Sequence, residues 1–231
     1  DHGLVYQDYR VTPHCPRCGT SLSDHEVSLG YQDDTPDPSV FVKFRVTDEA
    51  LFRRGHPRRM PFNDRMAIVA WTTTPWTLPG NTALAVKADA KYGIYDRGGD
   101  LLVVAAELAA KVFGEEVTPV MTIPGTFLIG MEYEPLYRPE HLGHAVMRFD
   151  GDGHLRGIEE GESTDGLRKV IAADYVSLED GSGIVHTAPA FGAEDFQEGK
   201  EHGLLFVQPI DLRGLMAEGL PGAGKFAKQA D

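Results

Sequence analysis

The sequence predicts an α+β fold, a core of many short strands with a few helices at its edges. Three observations point there. Apolar residues recur with the two-residue period of strands, most clearly at Val40, Val42, Phe44 and Val46, with Phe41, Lys43 and Arg45 facing the other way. Glycine and proline turns cut the chain into short pieces. Helical signals are confined to residues 105–113 and to the segment that Gly192 opens.

At 42% hydrophobic, the 231 residues can bury a sizeable core in one large domain or two small ones. Lys plus Arg number 22 against 35 Asp plus Glu, a formal charge of −13. So acidic a surface repels phosphate backbones. Any nucleic acid must then be met through a local pocket, with other parts supplying the electrostatic grip. No apolar run approaches a bilayer-spanning length, and no charged-then-apolar leader stands at Asp1. The expectation is a soluble, cytoplasmic piece of a longer chain, without membrane contact. Two cysteines three residues apart fit a reducing compartment and form no disulfide framework.

In chain order, residues 1–25 read as an irregular, zinc-knuckle-like lead-in. Cys15-Pro16-Arg17-Cys18-Gly19 is half of a zinc-ribbon site, and zinc wants four ligands. His14 and His25 match no zinc spacing, so zinc at Cys15 and Cys18 requires ligands outside this chain; a reduced turn without metal is the alternative. Residues 26–31 and 40–46 read as strands joined by a polar turn at 33–38, a candidate hairpin. Arg53, Arg54, Arg58 and Arg59 make a basic loop, read as solvated.

Residues 66–73, 83–86, 92–95 and 101–104 read as further strands, with Gly98-Gly99 turning a hairpin before the last. A short helix follows over 105–113, with Glu107 near its start, Lys111 near its end and Gly114 as its stop. Strands are expected at 117–123, 145–149 and 170–178. Residues 150–166 hold almost nothing to bury and read as an exposed, acidic insertion loop. Asp150-x-Asp152-x-His154 hints at a calcium loop, but Leu155 stands where glycine is required. Gly219 to Lys225 has phosphate-loop spacing, yet Phe226 replaces the magnesium-holding hydroxyl, and a glycine-rich surface turn is the better account.

Two stretches carry chemistry. The first is Trp71-Thr-Thr-Thr-Pro-Trp-Thr-Leu-Pro-Gly-Asn81, which follows the apolar run 66–70. The strand ends in a row of hydroxyls at Thr72, Thr73 and Thr74, and Pro75 stops regular sheet. Hydroxyls at a strand end suit a pocket for a small polar ligand. The second is Gly181-Ser-Gly-Ile-Val-His186-Thr-Ala-Pro-Ala-Phe-Gly-Ala-Glu-Asp195-Phe, a glycine turn, a brief strand and a helix start. Acids in that first helical turn are favoured by the exposed amides and the dipole. Taken singly, Asp195 reads as a helix-start acid and His186 as a structural histidine.

Taken together, the two stretches resemble the inserted editing domain of isoleucyl-tRNA synthetase, and Cys15 to Val27 resembles its lead-in. Thr74 and Trp76 follow the isoleucyl pattern, where valyl and leucyl relatives carry an Arg and an acid. Ser182 stands where the family usually has Thr. The resemblance implies a β-barrel-like core shared by the isoleucyl, valyl and leucyl enzymes, with residues 26–231 as the editing domain. It implies hydrolysis of the mischarged valyl-tRNA ester, and of valyl adenylate as a further substrate. One methylene gives an activation pocket only ~1–3 kcal/mol of discrimination, a limit for which the isoleucine–valine pair of this family is itself the standard example.

By the same resemblance, Asp195 takes the α-ammonium and His186 forms the wall that rejects isoleucine. Thr72, Thr73, Thr74, Thr77 and Asn81 hold the ester and terminal adenosine, with Trp71 or Trp76 against the adenine. Water attacks directly, held by threonine and backbone groups, since no nucleophilic Ser-His-Asp or Cys-His set is evident; His186 as general base is the competing version. Editing needs no cofactor, ATP and magnesium serve the parent enzyme elsewhere, and the partners are the tRNA 3′ end and the remaining synthetase polypeptide. A non-catalytic tRNA-binding module is the alternative, disfavoured by the charge. A zinc hydrolase is a third reading and lacks four grouped ligands.

Overall fold

The computed structural model describes residues 9–28, 38–47, 65–138, 145–164 and 167–230. The basic loop at 53–59 and residues 29–31 and 33–37 of the expected hairpin lie outside them. The architecture is α+β, a curled open sheet with few helices. Its strands are β3 (Val40–Arg45), β4 (Met66–Thr72), β5 (Ala83–Val86), β6 (Lys91–Arg97), β7 (Asp100–Ala105), β8 (Met121–Pro124), β11 (Lys169–Ala172) and β12 (Ile184–Thr187). A two-stranded lead-in precedes them, β1 (His14–Cys15) with β2 (Thr20–Ser21), and β9 (Ala145–Phe149), β10 (Leu155–Gly157) and β13 (Leu205–Gln208) make a separate three-stranded sheet.

The large sheet runs β11-β5-β12-β4-β7-β6-β8, with β3 on the other edge of β4. Strand β4 is its hinge. Met66 to Ile68 pair with β7 in parallel, and Trp71 at the far end pairs with Val185 of β12. One strand thus parts from one neighbour and meets another, which curls the sheet into a half-barrel. The apolar run at 66–70 is buried on both faces, as a central strand must be. Phe44, Met66, Ile68, Leu84, Tyr92 and Ile94 fill the inside of the curl. Gly98 and Gly99 turn the β6–β7 hairpin at φ of 68° and 90°, the conformation that favours glycine in a two-residue turn.

Several boundaries differ from expectation. Residues 26–31 were expected to begin a strand, but α1 (Asp24–Ser28) occupies the described part. Its cause is legible: Ser23 and Glu26 form a capping box, with the Ser23 amide and hydroxyl each 2.8 Å from the Glu26 carboxylate. Helix 105–113 divides into a 3-10 turn at Ala106–Leu108 and α2 (Ala109–Phe113). Of 117–123, only 121–123 lie in a strand of the sheet, β8 (Met121–Pro124). Strand 170–178 ends at Ala172, because residues 174–175 turn the chain off the sheet edge.

Within the expected insertion loop, the described residues 150–164 include a short strand. Strand β10 folds back on β9, and Glu162 bonds both Arg148 at 2.7 Å and Arg156 at 2.8 Å. Glu162 thus ties the two strands of the hairpin together. The Asp150 carboxylate accepts the amides of Asp152 and His154, a local turn. Residues 219–225 form successive turns, not a strand-to-helix phosphate loop.

Candidate functional site

The curl brings the two informative stretches together. Thr72 ends β4, and Pro75–Gly80 continues as a 3-10 helix with proline in its first turn, where the missing N–H costs nothing. Strand β12 lies beside β4 and carries His186 at its third position. Pro189 and Gly192 then lead to α3 (Ala193–His202), whose first turn holds Glu194 and Asp195. Between these elements lies a cavity of about 410 Å³, walled by Trp71, Thr72, Thr73, Thr74, Trp76 and Thr77 on one side and by His186, Ala188 and Asp195 on the other.

The hydroxyls form a connected row. Thr72 Oγ1 accepts the Thr74 amide at 3.1 Å, and Thr74 Oγ1 lies 3.3 Å from both the Thr72 and the Thr77 hydroxyls. Thr77 Oγ1 donates to the Thr74 carbonyl at 2.8 Å and lies 3.0 Å from His186 Nε2. Thr77 is thus fully engaged. Thr74, held from both sides by longer contacts, keeps capacity for a ligand or a water. Thr73 is exposed at the rim.

Asn81 is placed differently from expectation. It is buried, 5% exposed, and stands behind the residues that line the cavity. Its amide nitrogen donates to the Ala83 carbonyl at 2.9 Å, and its oxygen accepts the Tyr133 hydroxyl at 2.7 Å. Those two bonds fix which way the amide points, so Nδ2 also donates to His186 Nδ1 at 2.8 Å. The imidazole therefore carries its proton on Nε2 and donates it to Thr77. Both ring nitrogens are occupied.

Burial pushes the His186 imidazole down to about 4. The unfolded chain takes up that proton near 6.5, so stability carried by the neutral ring is complete above that pH. It is lost as pH falls from there towards 4, about 3 kcal/mol in all. Asp195 acts in the opposite sense, since burial raises its carboxyl and stability is gained as that group protonates. Urea unfolding of the wild type and of His186→Asn between about pH 7 and pH 4.5 isolates the histidine. We expect the wild type to lose stability relative to the variant as pH falls; parallel profiles would contradict a neutral buried ring.

Asp195 is partly buried. Its Oδ2 accepts the Ala188 amide at 2.9 Å, and the Tyr175 hydroxyl lies 3.4 Å from Oδ1. Gly192 lets the carboxylate fold back against the backbone, since a Cβ there would sit 3.0 Å from the Asp195 Cγ. Tyr175 and Phe191 also line the cavity and were not expected from the sequence. Trp76 meets Phe191 edge-on at 4.9 Å, and this pair separates the site from a larger, mostly apolar cavity of about 560 Å³ under the lead-in. We take the smaller cavity as the site because the hydroxyl row, imidazole and carboxylate face it.

Cys15 and Cys18 form a knuckle in which the Cys18 amide lies 3.4 Å from the Cys15 sulfur. That amide is the main reason the Cys15 thiol titrates below its ordinary value. His14 instead bonds the Leu212 carbonyl at 2.6 Å. Among the described residues, no three His, Cys, Asp or Glu side chains gather as a ligand set. The knuckle fits half of a zinc site.

No family model matches the chain. The isoleucine–tRNA ligase of Dehalococcoides mccartyi strain 195 is 46% identical over 233 residues, which cover 100% of this chain and 22% of that one. The chain is homologous to a segment of isoleucine–tRNA ligase. The Thermus thermophilus isoleucine–tRNA ligase is 38% identical over 100% of this chain and 19% of its own. The chain thus spans about a fifth of the length of the curated relatives it matches. Among solved structures, the P. knowlesi cytosolic leucyl-tRNA synthetase editing domain is similar at 12% identity and a TM-score of 0.49, over 78% of this chain and 72% of that one.

Proposed function

We propose that this isoleucine–tRNA ligase segment is an editing domain that hydrolyses the valyl ester of the isoleucine tRNA and excludes isoleucine. One observation carries the reading: two separate stretches converge on one cavity that offers a hydroxyl row, a neutral imidazole and a carboxylate. Its volume lies in the range of small-ligand sites, ~300–1,000 Å³. That is suited to a terminal aminoacyl-adenosine and not to a duplex.

Asp195 receives the α-ammonium, the group that distinguishes an amino acid ester from other esters. The threonine row, Thr74 foremost, holds the ester and the attacking water. The water oxygen adds to the ester carbonyl, and the acyl C–O bond breaks. The ribose oxygen leaves with a proton, and valine departs as its carboxylate. The neighbouring free ribose hydroxyl can assist. His186 is not the base in this scheme: its Nε2 bears the proton and its Nδ1 lone pair accepts from Asn81. It serves as a rigid wall against the side chain. Trp71 or Trp76 packs against the adenine, and valyl adenylate is a second substrate.

Zinc, if bound, would sit at Cys15 and Cys18 with ligands from elsewhere, as structural support for the lead-in. ATP and magnesium belong to the rest of the ligase, as does most of the grip on tRNA, given the charge of −13. No helix among the described residues is long and apolar enough to cross a membrane, and we place the protein in the cytoplasm. The test is incubation of the chain, alone and within the full-length ligase, with valyl- and isoleucyl-tRNA. Release of valine and not isoleucine supports the reading; tRNA binding without release would favour a binding module.

A further inference from the structure

We propose that Tyr175 is a positioning residue for Asp195, its hydroxyl holding the carboxylate in the orientation that receives the substrate α-ammonium. This rests on the editing reading and deepens it.

Tyr175 stands just past β11, where the chain leaves the sheet edge, and its ring packs against the cluster that includes Ala83, Ala85 and Leu204. The ring is thereby fixed, and its hydroxyl reaches the cavity beside Asp195. The two carboxylate oxygens are held from two different elements, Oδ1 by Tyr175 at 3.4 Å and Oδ2 by the Ala188 amide at 2.9 Å. Two anchors stop the carboxylate from rotating. A carboxylate offers about four acceptor sites. With two taken, the remaining pair is left for an ammonium group.

The surroundings explain why anchors are needed. Desolvation is the main cause that disfavours the ionised Asp195, and Glu194 adds repulsion. Glu198, one turn along α3, faces the same group. His186, across the cavity, is neutral. No cation acts on Asp195 among the described residues. The tyrosine hydroxyl and the Ala188 amide alone oppose the burial until substrate brings its positive charge.

Tyr175→Phe keeps the ring and removes only the hydroxyl. In the full-length ligase we expect KM for valyl-tRNA deacylation to rise on the order of tenfold, with kcat changed less. The acid limb of kcat/KM should move to higher pH by about one unit, because the carboxylate loses a bond that favours its charge. In Asp195→Asn, the added Tyr175→Phe change should cost nothing more, since the tyrosine acts through the carboxylate. A KM and acid limb matching the wild type, with or without a lower melting temperature, would overturn the inference. Equal loss in the Asp195→Asn background would overturn it too. If the wild type itself releases no valine, the editing reading fails first, and the two failures are thus distinct.

Discussion

Asp195→Asn should lower kcat/KM for valyl-tRNA deacylation on the order of a hundredfold without lowering the melting temperature. The two halves of this expectation come from the same physics. A buried charge that meets an opposite charge on the substrate carries about 2–5 kcal/mol when one partner is removed. At 1.4 kcal/mol per factor of ten, the lower half of that range spans a hundredfold, about 2.8 kcal/mol. In the unliganded protein, however, the carboxylate is a cost. Burial raises its pKa, and its neighbours Glu194 and Glu198 are acids. An isosteric amide removes the charge and keeps an oxygen for the Ala188 amide. Activity and stability therefore move apart, as expected of a group kept for function rather than for folding. Deacylation kinetics and a thermal melt on the same preparation check both. A variant that loses activity and melts much earlier would mean that Asp195 is a structural cap of α3.

Much of this was legible in the sequence, because the signals are local. The buried run at 66–70 is continuous and apolar, so β4 could be drawn from it, and Pro75 marked its end. Gly192 followed by two acids announced the start of α3. The capping box at Ser23 and Glu26 was equally local, but the apolar residues just after it suggested a strand. The unread part is what depends on distant residues. Asn81 sits beside the threonine row in sequence, so it was placed with the substrate. Its partner Tyr133 is 52 residues away and His186 is 105 away, and only their meeting turns Asn81 into a support behind the wall. Tyr175 lay inside an apolar stretch read as one strand, and nothing in that stretch tells that residues 174–175 swing it into the cavity. Glu162 read as part of an exposed loop because one of its two cations, Arg148, lies on the preceding strand.

His186→Ala should open the pocket to isoleucine. The ring is buried, fixed at both nitrogens and facing the cavity, which is what a size filter requires, since a wall that yields cannot reject one methylene. Forcing an extra methylene into a well-packed site costs about 1–3 kcal/mol. Removing the ring should therefore raise isoleucyl-tRNA cleavage by about 5- to 150-fold. Valyl-tRNA cleavage should fall only a few-fold, from looser seating of the smaller side chain. The variant should also melt earlier, because the Asn81 amide and the Thr77 hydroxyl each lose a buried partner, worth ~1–3 kcal/mol apiece. That loss makes Tyr133→Phe the useful companion: it removes the Tyr133 bond to Asn81 while leaving the ring in the wall. It should lower stability and leave the preference for valine intact. A general base would behave otherwise. Its removal would abolish valine release by a hundredfold or more and give isoleucine nothing. The hydrogen bonds decide in advance which is expected, for a base must have a free lone pair, and the lone pair on Nδ1 accepts from Asn81. Parallel time courses of valine and isoleucine release from the full-length ligase, wild type against His186→Ala, read the answer directly.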